Sequence, residues 1–379
     1  MKVGIITITR DLNYGNRLQN YALQHFLENM NIIAHTILDT YDCDHVPFSW
    51  RGFFKRHGLI KGLIKIIIDY KGCRTNLPYD LKRQESFLAF NTKYINFSNF
   101  KAYYDKIPVS VNRMYDYFIV GSDQVWNPCF KCTGLEFLTF APKGKRIAYS
   151  ASFGISTLPP EVHEQFTTWL NEMAAISVRE HTGADIVNEL TGRKAEVLAD
   201  PTLLVTASEW KQIARKPVWY KEEDYILLYF LGPIPDEAAM AVRKIANENS
   251  LKIINVLDRS NLEYYCSAPD EFVYLVEHAR LVYTDSFHGT VFSILMQVPF
   301  VICERVSVRK QNMISRIDTL LDTFSLQERK GTTKNGYQLN NVFNINFTSC
   351  EEIIEAGRAR AKSFLTASLN LKLKNEEKL

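Results

Sequence analysis

The chain has 379 residues, a length typical of two or three domains. Hydrophobic residues make up 46% and charged residues 23%, which is enough apolar material for a core in each of two domains. The formal net charge of +3 argues against a general polyanion binder, so no nucleic-acid partner is expected. A small anionic ligand held by local charge stays compatible with this balance.

Seven cysteines, scattered and odd in number, argue against a disulfide framework and for a reducing compartment. Cys129 and Cys132 form one Cys-x-x-Cys, but no second pair follows at zinc spacing, so no metal site is predicted. The N-terminal apolar run is too short for a signal peptide, and no apolar run is long enough to span a bilayer. We therefore expect a cytoplasmic protein.

A strand, a polar loop, a helix and a second strand are predicted at the start of the chain. KVGIITIT is typical of a buried strand, RDLNYGNRLQN of a turn, and NIIAHTILD of the second strand. Between them, helical apolar spacing recurs at Leu18, Tyr21, Ala22 and Phe26. This order is typical of doubly wound sheets. Residues 43–112 interrupt it and are interpreted as an aromatic, basic insertion with helical pieces.

The strand–helix alternation resumes at YDYFIVGSDQVWNP, a strand predicted to end at Gly121. KRIAYSASFGIS, AAISVRE and KAEVLADPTLL are interpreted as further strands with their loops, separated by helices. Between about Val205 and Asp224 the periodicity lapses, which indicates a linker between two domains.

A second series starts at YILLYFLG and continues through a helix to Asn249, the strand LKIINVLD and a helix from Glu271 to His278. ARLVYTDSFHG and PFVICE are predicted strands that flank the helix TVFSILMQ, and the stretch from Glu351 is a long helix. Two Rossmann-like α/β domains facing a cleft are therefore predicted. They cover residues 1–205 and 206–379, and the last helix closes the second.

Five loops that follow predicted strands carry polar groups: NYGNRLQN, GSDQVWN, SASFG, SVRE and DSFHG. Loops in this position line the ligand crevice of open α/β sheets. Each one alone is also explained by turn chemistry, since Asp123 can cap a turn and Trp126 can belong to the core. Five of them over two domains together predict a ligand site.

Charged residues near these loops have two readings. Arg179 in SVRE either pairs with Glu180 or Glu172 at the surface or offers a guanidinium to a carboxylate or phosphate. Four cations beyond PFVICE form either a solvated helix face or an anion site: Arg305, Arg309, Lys310 and Arg316. His288 is either a structural histidine or a catalytic one, placed where helix N–H groups favour an anion.

Four of these segments, in order, resemble the polysaccharide pyruvyltransferase family. They are NYGNRLQNYAL, GSDQVWN from Gly121 to Asn127, SVRE with Asp200-Pro201, and SFHG. The resemblance covers about residues 1–325. It implies a GT-B-like fold, with the acceptor on the N-terminal side and the donor on the C-terminal side. It also implies transfer of pyruvyl from phosphoenolpyruvate to a sugar of a cell-surface polysaccharide precursor, with a pyruvate ketal as product.

The resemblance assigns roles to individual residues. His288 matches the family's catalytic histidine, with Asp123 as a carboxylate candidate beside it and Asp285 as a second one. The remaining candidates are donor-binding Arg179, Ser286, Gly289, Arg305 and Arg316, and acceptor-binding Asn16, Gln19, Gln124 and Trp126. The chain departs from the family at Ser286, where many members have arginine. Arg305 and Arg316 are the candidates to supply that missing cation.

Two other functions remain open: a GT-B glycosyltransferase that uses a nucleotide sugar, and a non-catalytic accessory protein on the same scaffold. The expected ligands are phosphoenolpyruvate as co-substrate and a sugar or lipid-linked oligosaccharide, with no metal or other cofactor. Residues 51–72 place Ile60, Leu63, Ile64 and Ile67 on one helical face. This face either packs on the N-terminal domain or rests on the inner surface of an anionic membrane.

Overall fold

The computed structural model describes residues 1–9, 12–40, 79–103, 107–130, 132–305, 315–332 and 336–371. Two separate parallel sheets organise these residues, one of seven strands and one of five. Most strands are buried along nearly their whole length, as expected where helices cover both faces of a parallel sheet. The two predicted Rossmann-like units are therefore confirmed.

The N-terminal unit holds the larger sheet, with strand order β3-β2-β1-β4-β5-β6-β7. Its elements, in chain order, are β1 (Lys2–Ile6), α1 (Tyr14–Asn29), β2 (Ile33–Thr40), α2 (described as helix over residues 79–94), β3 (Phe97–Tyr103), α3 (Val111–Met114), β4 (Tyr117–Val120), β5 (Arg146–Ala151), α4 (His163–Asn171), β6 (Ala175–Val178), α5 (His181–Thr191) and β7 (Glu196–Val197). A short 3-10 turn at Pro201–Leu203 follows β7.

The C-terminal unit holds the smaller sheet, with strand order β12-β11-β10-β8-β9. Its elements are α6 (Ala207–Ile213), β8 (Tyr225–Tyr229), α7 (Asp236–Glu248), β9 (Lys252–Asn255), α8 (Leu262–Tyr265), α9 (Pro269–Glu277), β10 (Leu281–Thr284), α10 (Phe287–Leu295), β11 (Phe300–Cys303), α11 (described from Ser315 to Phe324), β12 (Lys330–Gly331) and α12 (Cys350–Ser368).

Each sheet has a point where the strand order reverses, between β1 and β4 in the first and between β8 and β10 in the second. Loops at the carboxyl ends of strands beside such a point form the ligand crevice of open α/β sheets. In this chain they are the loops that carry Asp123 and His288, so the topology directs both motifs toward the space between the units.

Helix α12 is shared between the two units. Ile354, in its first half, packs with the core that contains α10 and α11. Ala361, Phe364 and Leu365, in its second half, pack against β1 and its neighbours in the N-terminal sheet. The sequence assigned the whole helix to the C-terminal domain, whereas its apolar face is divided between both cores.

Three local features differ from the sequence-based expectations. The predicted insertion at residues 43–112 contains β3, which extends the sheet by pairing with β2. The predicted linker contains α6, which begins at a capping box between Thr206 and Glu209. The two-residue strand β12 was not predicted, because it is too short to show periodicity.

The segment expected to contact a membrane, residues 51–72, lies outside the described residues, and its assignment stays a prediction. None of the helices that the structure describes is long and apolar enough to cross a membrane.

Candidate active site

A cavity of about 190 Å³ lies where the two reversal points face each other, and we call it the cleft pocket. The N-terminal unit contributes polar side chains from α1 and from the loop after β4: Asn13, Asn16, Asp123 and Gln124. The C-terminal unit contributes four more: Ser286, His288, Arg305 and Arg316. The structure thus brings together seven of the eleven predicted site residues.

His288 occupies the first turn of α10 and is 5% exposed. Its Nε2 atom lies 3.5 Å from Oδ2 of Asp200, without hydrogen-bond geometry. Its Nδ1 atom lies against Gly15 of α1, where a Cβ atom would come within 2.0 Å of Nδ1. Glycine at position 15 is therefore required for the His288 ring to occupy this position. The contact joins the first sequence motif, NYGNRLQNYAL, to the last, SFHG.

Asp200 is a site residue that the sequence showed only as part of a motif. It is 1% exposed, and its Oδ1 accepts hydrogen bonds from the backbone and hydroxyl of Thr202 at 3.0 and 2.7 Å. Its Oδ2 accepts from Ser122 at 3.1 Å and from Arg179 at 2.8 Å. Burial raises the pKa of Asp200, but His288 and Arg179 outweigh it and hold the pKa far below its usual range. The carboxylate beside His288 is therefore permanently charged.

Arg179 is enclosed by acidic and aromatic groups. One terminal nitrogen contacts Asp200 at 2.8 Å and the other contacts Asp123 at 3.1 Å, while the guanidinium lies 4.3 Å from the centre of the Phe287 ring. Burial lowers the pKa of Arg179, but the two carboxylates outweigh burial and raise it. The donor contact stays a prediction, and Arg179 itself does not line the cleft pocket. It fixes two carboxylates in place.

The alternative of a surface ion pair with Glu180 or Glu172 is wrong, because Arg179 is buried and pairs with Asp123 and Asp200. Glu172 pairs instead with Arg146 at 2.7 Å. Glu180 is buried, and its Oε1 accepts hydrogen bonds from Ser152 and from the backbone of Phe153, both at 2.9 Å. Glu180 therefore shapes the SASFG loop.

Arg316 is the least neutralised cation of the cleft pocket. It is 4% exposed, its Nε has no hydrogen-bond partner, and its NH1 lies 3.8 Å from Oδ1 of Asp123. Burial, together with the nearby charge of Arg179, lowers the pKa of Arg316 to about 10. The guanidinium stays charged at neutral pH while its charge is incompletely compensated. An anion in the pocket would supply the missing compensation.

Arg305 is positioned by Asp285. Its Nε donates to Oδ2 of Asp285 at 2.8 Å and its NH2 donates to the Asp285 backbone carbonyl at 2.9 Å. The same carboxylate accepts hydrogen bonds from the backbone of Leu231 and Gly232 at 2.7 and 2.9 Å. Asp285 therefore joins the ends of β8 and β10 and holds Arg305 at the pocket, where its side chain is 19% exposed.

Ser286 and Gly289 have local roles that explain them without a ligand. The Ser286 hydroxyl caps α10 by accepting a hydrogen bond from the backbone of Gly289 at 3.4 Å. A Cβ at Gly289 would lie 2.5 Å from the hydroxyl of Thr284, so glycine allows the helix to pack closely on β10. Ser286 also lines the pocket, whereas the close approach at Gly289 is to the protein itself rather than to a donor.

The predicted acceptor residues divide into two groups. Asn16 and Gln124 line the pocket, and Oε1 of Gln124 accepts a hydrogen bond from Asn127 at 2.8 Å. Gln19 is fully buried and uses its amide to join Thr7, the Asn16 carbonyl and the Ser122 backbone.

Trp126 lies in the aromatic core of the N-terminal unit, parallel to Phe137 at 5.2 Å, and donates its indole N–H to the carbonyl of Glu136 at 2.8 Å. Neither Gln19 nor Trp126 lines the cleft pocket, and both side chains make hydrogen bonds within the protein, so their acceptor contacts stay predictions.

Asp123 has a positive φ of 65° and contacts both buried arginines. Burial raises its pKa, but Arg179, His288 and Arg316 outweigh burial and lower it. A carboxyl group that stays ionised is a poor proton donor and a weak base. Asp123 therefore orients the two guanidinium groups in this structure, and the catalytic roles of Asp123 and His288 stay predictions.

The two units are joined beside the pocket by residues that the sequence did not reveal. Arg83 of α2 is 2% exposed and donates to the hydroxyl of Tyr14 and the carbonyl of Leu12, both at 3.0 Å, and to the carbonyl of Tyr265 across the interface. Tyr14 also stacks on Phe272 of α9 at 4.5 Å. Arg83 lies in the stretch interpreted as an insertion, so no periodic signal pointed to it.

Cys129 and Cys132 of the Cys-x-x-Cys pair do not form a disulfide with each other. Burial, followed by the charge of Glu136, raises the pKa of the Cys132 thiol well above its usual value, which makes it unreactive. Among the residues that the structure describes, no three His, Cys, Asp or Glu side chains are grouped to hold a metal ion.

A family model described as polysaccharide pyruvyl transferase matches residues 13–305. The chain belongs to this family. The matched range begins at the cap of α1 and ends at Arg305, so it contains all four sequence motifs and most of the residues that line the cleft pocket, whereas Arg316 lies beyond it. None of the curated proteins matches the sequence.

Solved structures show the fold. UDP-GlcNAc 2-epimerase from Neisseria meningitidis, bound to UDP-GlcNAc, is similar with a TM-score of 0.52 and 9% identity, over 98% of this chain and 100% of that one. UDP-GlcNAc 2-epimerase from Methanocaldococcus jannaschii has a TM-score of 0.47 and 14% identity, over 94% and 99%. Acinetobacter baumannii MurG has a TM-score of 0.41 and 10% identity, over 98% and 99%. At these identities the first likeness shows the GT-B fold alone.

Proposed function

We propose that this family member transfers the pyruvyl unit of phosphoenolpyruvate to a sugar of a polysaccharide precursor, forming a cyclic ketal and releasing phosphate. The observation that supports it best is the cleft pocket, in which an incompletely compensated arginine faces a histidine at a helix start. The acceptor we propose is a lipid-linked oligosaccharide on the cytoplasmic side of the membrane.

The pocket has the charge that such a donor needs. Arg316 and Arg305 supply two guanidinium groups, and the N-termini of α1 and α10 both open onto the same space. Helix N-termini and guanidinium groups together favour carboxylate and phosphate. Arg316 and Arg305 would replace the arginine that many family members have at Ser286.

The pocket also has the size of a small donor. At about 190 Å³ it is smaller than the roughly 300–1,000 Å³ that drug-sized ligands occupy. A three-carbon phosphorylated acid matches it better than a nucleotide sugar does. This difference favours pyruvyl transfer over the glycosyltransferase alternative.

His288 would move the proton. Because ionised Asp200 lies beside Nε2, we assign a proton to that nitrogen in both states of the ring, and the mobile proton is then at Nδ1. Nδ1 lies beside Gly15 at the start of α1, and the ring lines the pocket. The arrangement resembles the general histidine–carboxylate pairing. There the carboxylate orients the imidazole ring, and the ring nitrogen on the opposite side transfers the proton.

The reaction balances without a further reactant. Nδ1 of His288 donates a proton to C3 of the donor, a first sugar hydroxyl attacks C2, and its proton returns to the histidine. The bond between C2 and the phosphate oxygen then breaks, and its electron pair leaves with phosphate. A second hydroxyl attacks C2 and closes the ketal. One hydroxyl proton thus ends in the new methyl group and the other leaves with phosphate.

Calorimetric titration of the full chain with phosphoenolpyruvate, and separately with UDP-GlcNAc, tests the donor. We expect saturable binding of phosphoenolpyruvate that weakens at least tenfold in Arg316→Met, because a charge-assisted contact is lost. The matched control is Arg113→Met, since Arg113 is exposed and outside the site. Binding of UDP-GlcNAc in place of phosphoenolpyruvate would favour the glycosyltransferase alternative.

Turnover is tested by phosphate release in the presence of a panel of methyl hexopyranosides, with and without a chelator. We expect release that depends on both donor and sugar and that persists with chelator. Binding of the donor with no release from any sugar, including an extracted lipid-linked oligosaccharide, would favour the accessory-protein alternative.

A further inference from the structure

A second cavity, of about 350 Å³, lies beside the cleft pocket, and we call it the helix cavity. Phe287 and Arg316 line both cavities and so form their common wall. The helix cavity is bounded by residues 197–203 of the N-terminal unit, by α11 of the C-terminal unit and by α12. Gly357 lines this cavity, near the point where α12 passes from one core to the other.

Most of the wall of the helix cavity is apolar. Its lining includes Leu203, Leu320, Phe324 and Ile353, contributed by both units and by α12. Its volume falls within the roughly 300–1,000 Å³ range of small-molecule pockets. A body of hydrocarbon would fill this space and remove the apolar wall from water.

The common wall is charged. Arg179 and Arg316 both line the helix cavity, both are 4% exposed, and each has a buried Nε without a hydrogen-bond partner. Their terminal nitrogens share a single oxygen, Oδ1 of Asp123, at 3.1 and 3.8 Å. Among the described residues, Oδ1 of Asp123 is the one carboxylate oxygen that forms an ion pair with Arg316, and Arg179 lies closer to it.

An apolar chamber that ends at an undercompensated guanidinium is complementary to one kind of small molecule. We propose that the helix cavity is a second ligand site, which takes an amphiphilic monoanion such as a medium-chain carboxylate. The tail occupies the apolar chamber, and the carboxylate reaches the guanidinium of Arg316. One negative charge suffices, because Arg179 already has its carboxylate partners.

Occupancy of this site has a consequence that rests on the proposed function. Arg316 lines both cavities, so a carboxylate in the helix cavity competes with the anionic donor for one guanidinium. Binding in either cavity then weakens binding in the other by the same factor, as linkage requires. The protein would thereby reduce donor binding when an amphiphilic acid accumulates at the membrane where its acceptor is made.

Octanoate is the probe, and octan-1-ol is its uncharged match. The test variant is Gly357→Leu, which fills the cavity from α12. A Cβ at Gly357 meets only Ala199 at 3.6 Å, an ordinary contact, so the helix itself tolerates it. The control is Ala359→Leu, which adds the same side chain to an exposed position of the same helix. Thr323→Trp fills the cavity from α11 if Gly357→Leu does not fold.

We expect calorimetry to show saturable octanoate binding to the wild type and to Ala359→Leu, and at least tenfold weaker binding to Gly357→Leu. Octan-1-ol should also bind at least tenfold more weakly than octanoate. Equal affinities for the acid and the alcohol, or undiminished binding to a folded cavity-filling variant, would overturn the site. This arm requires no phosphoenolpyruvate, so it is decided even if the proposed donor is wrong.

The coupling is measured by titrating phosphoenolpyruvate with and without saturating octanoate. We expect the apparent donor affinity of the wild type to fall at least fivefold, and that of Gly357→Leu to stay unchanged. An unchanged donor affinity in wild type with octanoate bound would refute competition for Arg316.

Discussion

Arg179 and Arg316 are two arginines of the same site with opposite surroundings. Both are 4% exposed, both contact Asp123, and both leave Nε without a partner. Arg179 directs its two terminal nitrogens to two carboxylates at 2.8 and 3.1 Å, whereas Arg316 reaches one shared oxygen at 3.8 Å. The pKa of Arg179 is accordingly raised, and that of Arg316 is lowered to about 10.

The contrast extends to the two walls of the cleft. Behind the N-terminal wall, Gln19 and Asp200 direct their polar atoms to protein partners. On the C-terminal wall, His288 and Arg316 keep polar atoms without partners close to the pocket. A satisfied buried group stabilises the fold, while an unsatisfied one at a pocket indicates a ligand. Substitutions on the first wall should therefore cost stability, and those on the second should cost function.

The largest functional effect is expected at His288. His288→Gln keeps the size of the side chain but removes the mobile proton, so phosphate release should fall by about 10²–10⁴-fold. The protein should still fold, with a thermal midpoint lowered only by loss of the 3.5 Å contact between Nε2 and the Asp200 carboxylate. His278→Gln, at an exposed position, is the control and should keep full turnover. A large loss of stability with turnover per folded molecule preserved would show a structural histidine instead.

Arg179→Met should cause the largest loss of stability. Removing one member of a buried ion pair leaves uncompensated charge and costs about 3–5 kcal/mol. Here two carboxylates, Asp123 and Asp200, would lose their shared cation. Denaturant unfolding measures the change, and Arg316→Met is the matched comparison, for which we expect less than about 1 kcal/mol. Equal losses of unfolding free energy in Arg179→Met and Arg316→Met would show that the two arginines do not differ in their contribution to stability.

Gly15→Ala tests whether α1 positions the imidazole ring of His288. A Cβ would lie 2.0 Å from Nδ1 of His288, so the ring or the helix must move. We expect turnover to fall at least tenfold, because displacement of a reacting group by about an ångström costs that much or more. Gly144→Ala is the control, since a Cβ there meets no atom within 4 Å. Unchanged turnover in Gly15→Ala would show that the contact between Gly15 and His288 does not matter for activity.

The sequence predicted the fold well because its signals are periodic. Buried strands such as β8 and β10 were predictable because each is a short apolar run that ends at a polar loop. Strand β3 was not predicted, because its sequence FSNFKAY mixes polar and apolar residues at a sheet edge. Edge strands pack on fewer neighbours, so their patterns are weaker.

The site was only partly predictable. Motif order identified His288 and the loops that meet at it, but a sequence does not show which side chains satisfy each other. Arg179 and Arg316 are the same residue type in the sequence, and only their distances to carboxylates in the structure distinguish their roles. Asp200 follows a strand and precedes Pro201, which reads as a turn signal. Its contact with His288 spans 88 positions of the chain and has no local signature.

The smallest effects are expected for substitutions of Ser286, the position where many family members have arginine. Ser286→Ala removes the cap of α10 and should cost about 1 kcal/mol in the free energy of unfolding, with phosphoenolpyruvate affinity nearly unchanged. Ser286→Arg adds a cation where many family members have one. Since Ser286 is 1% exposed and Arg305 and Arg316 already face the pocket, a third cation meets like charge. Donor affinity should therefore stay unchanged or weaken, with Ser286→Gln as the uncharged size control. A large gain in affinity in the arginine variant alone would mean that Arg305 and Arg316 do not replace the family's arginine, and that the C-terminal wall holds a weakened donor site.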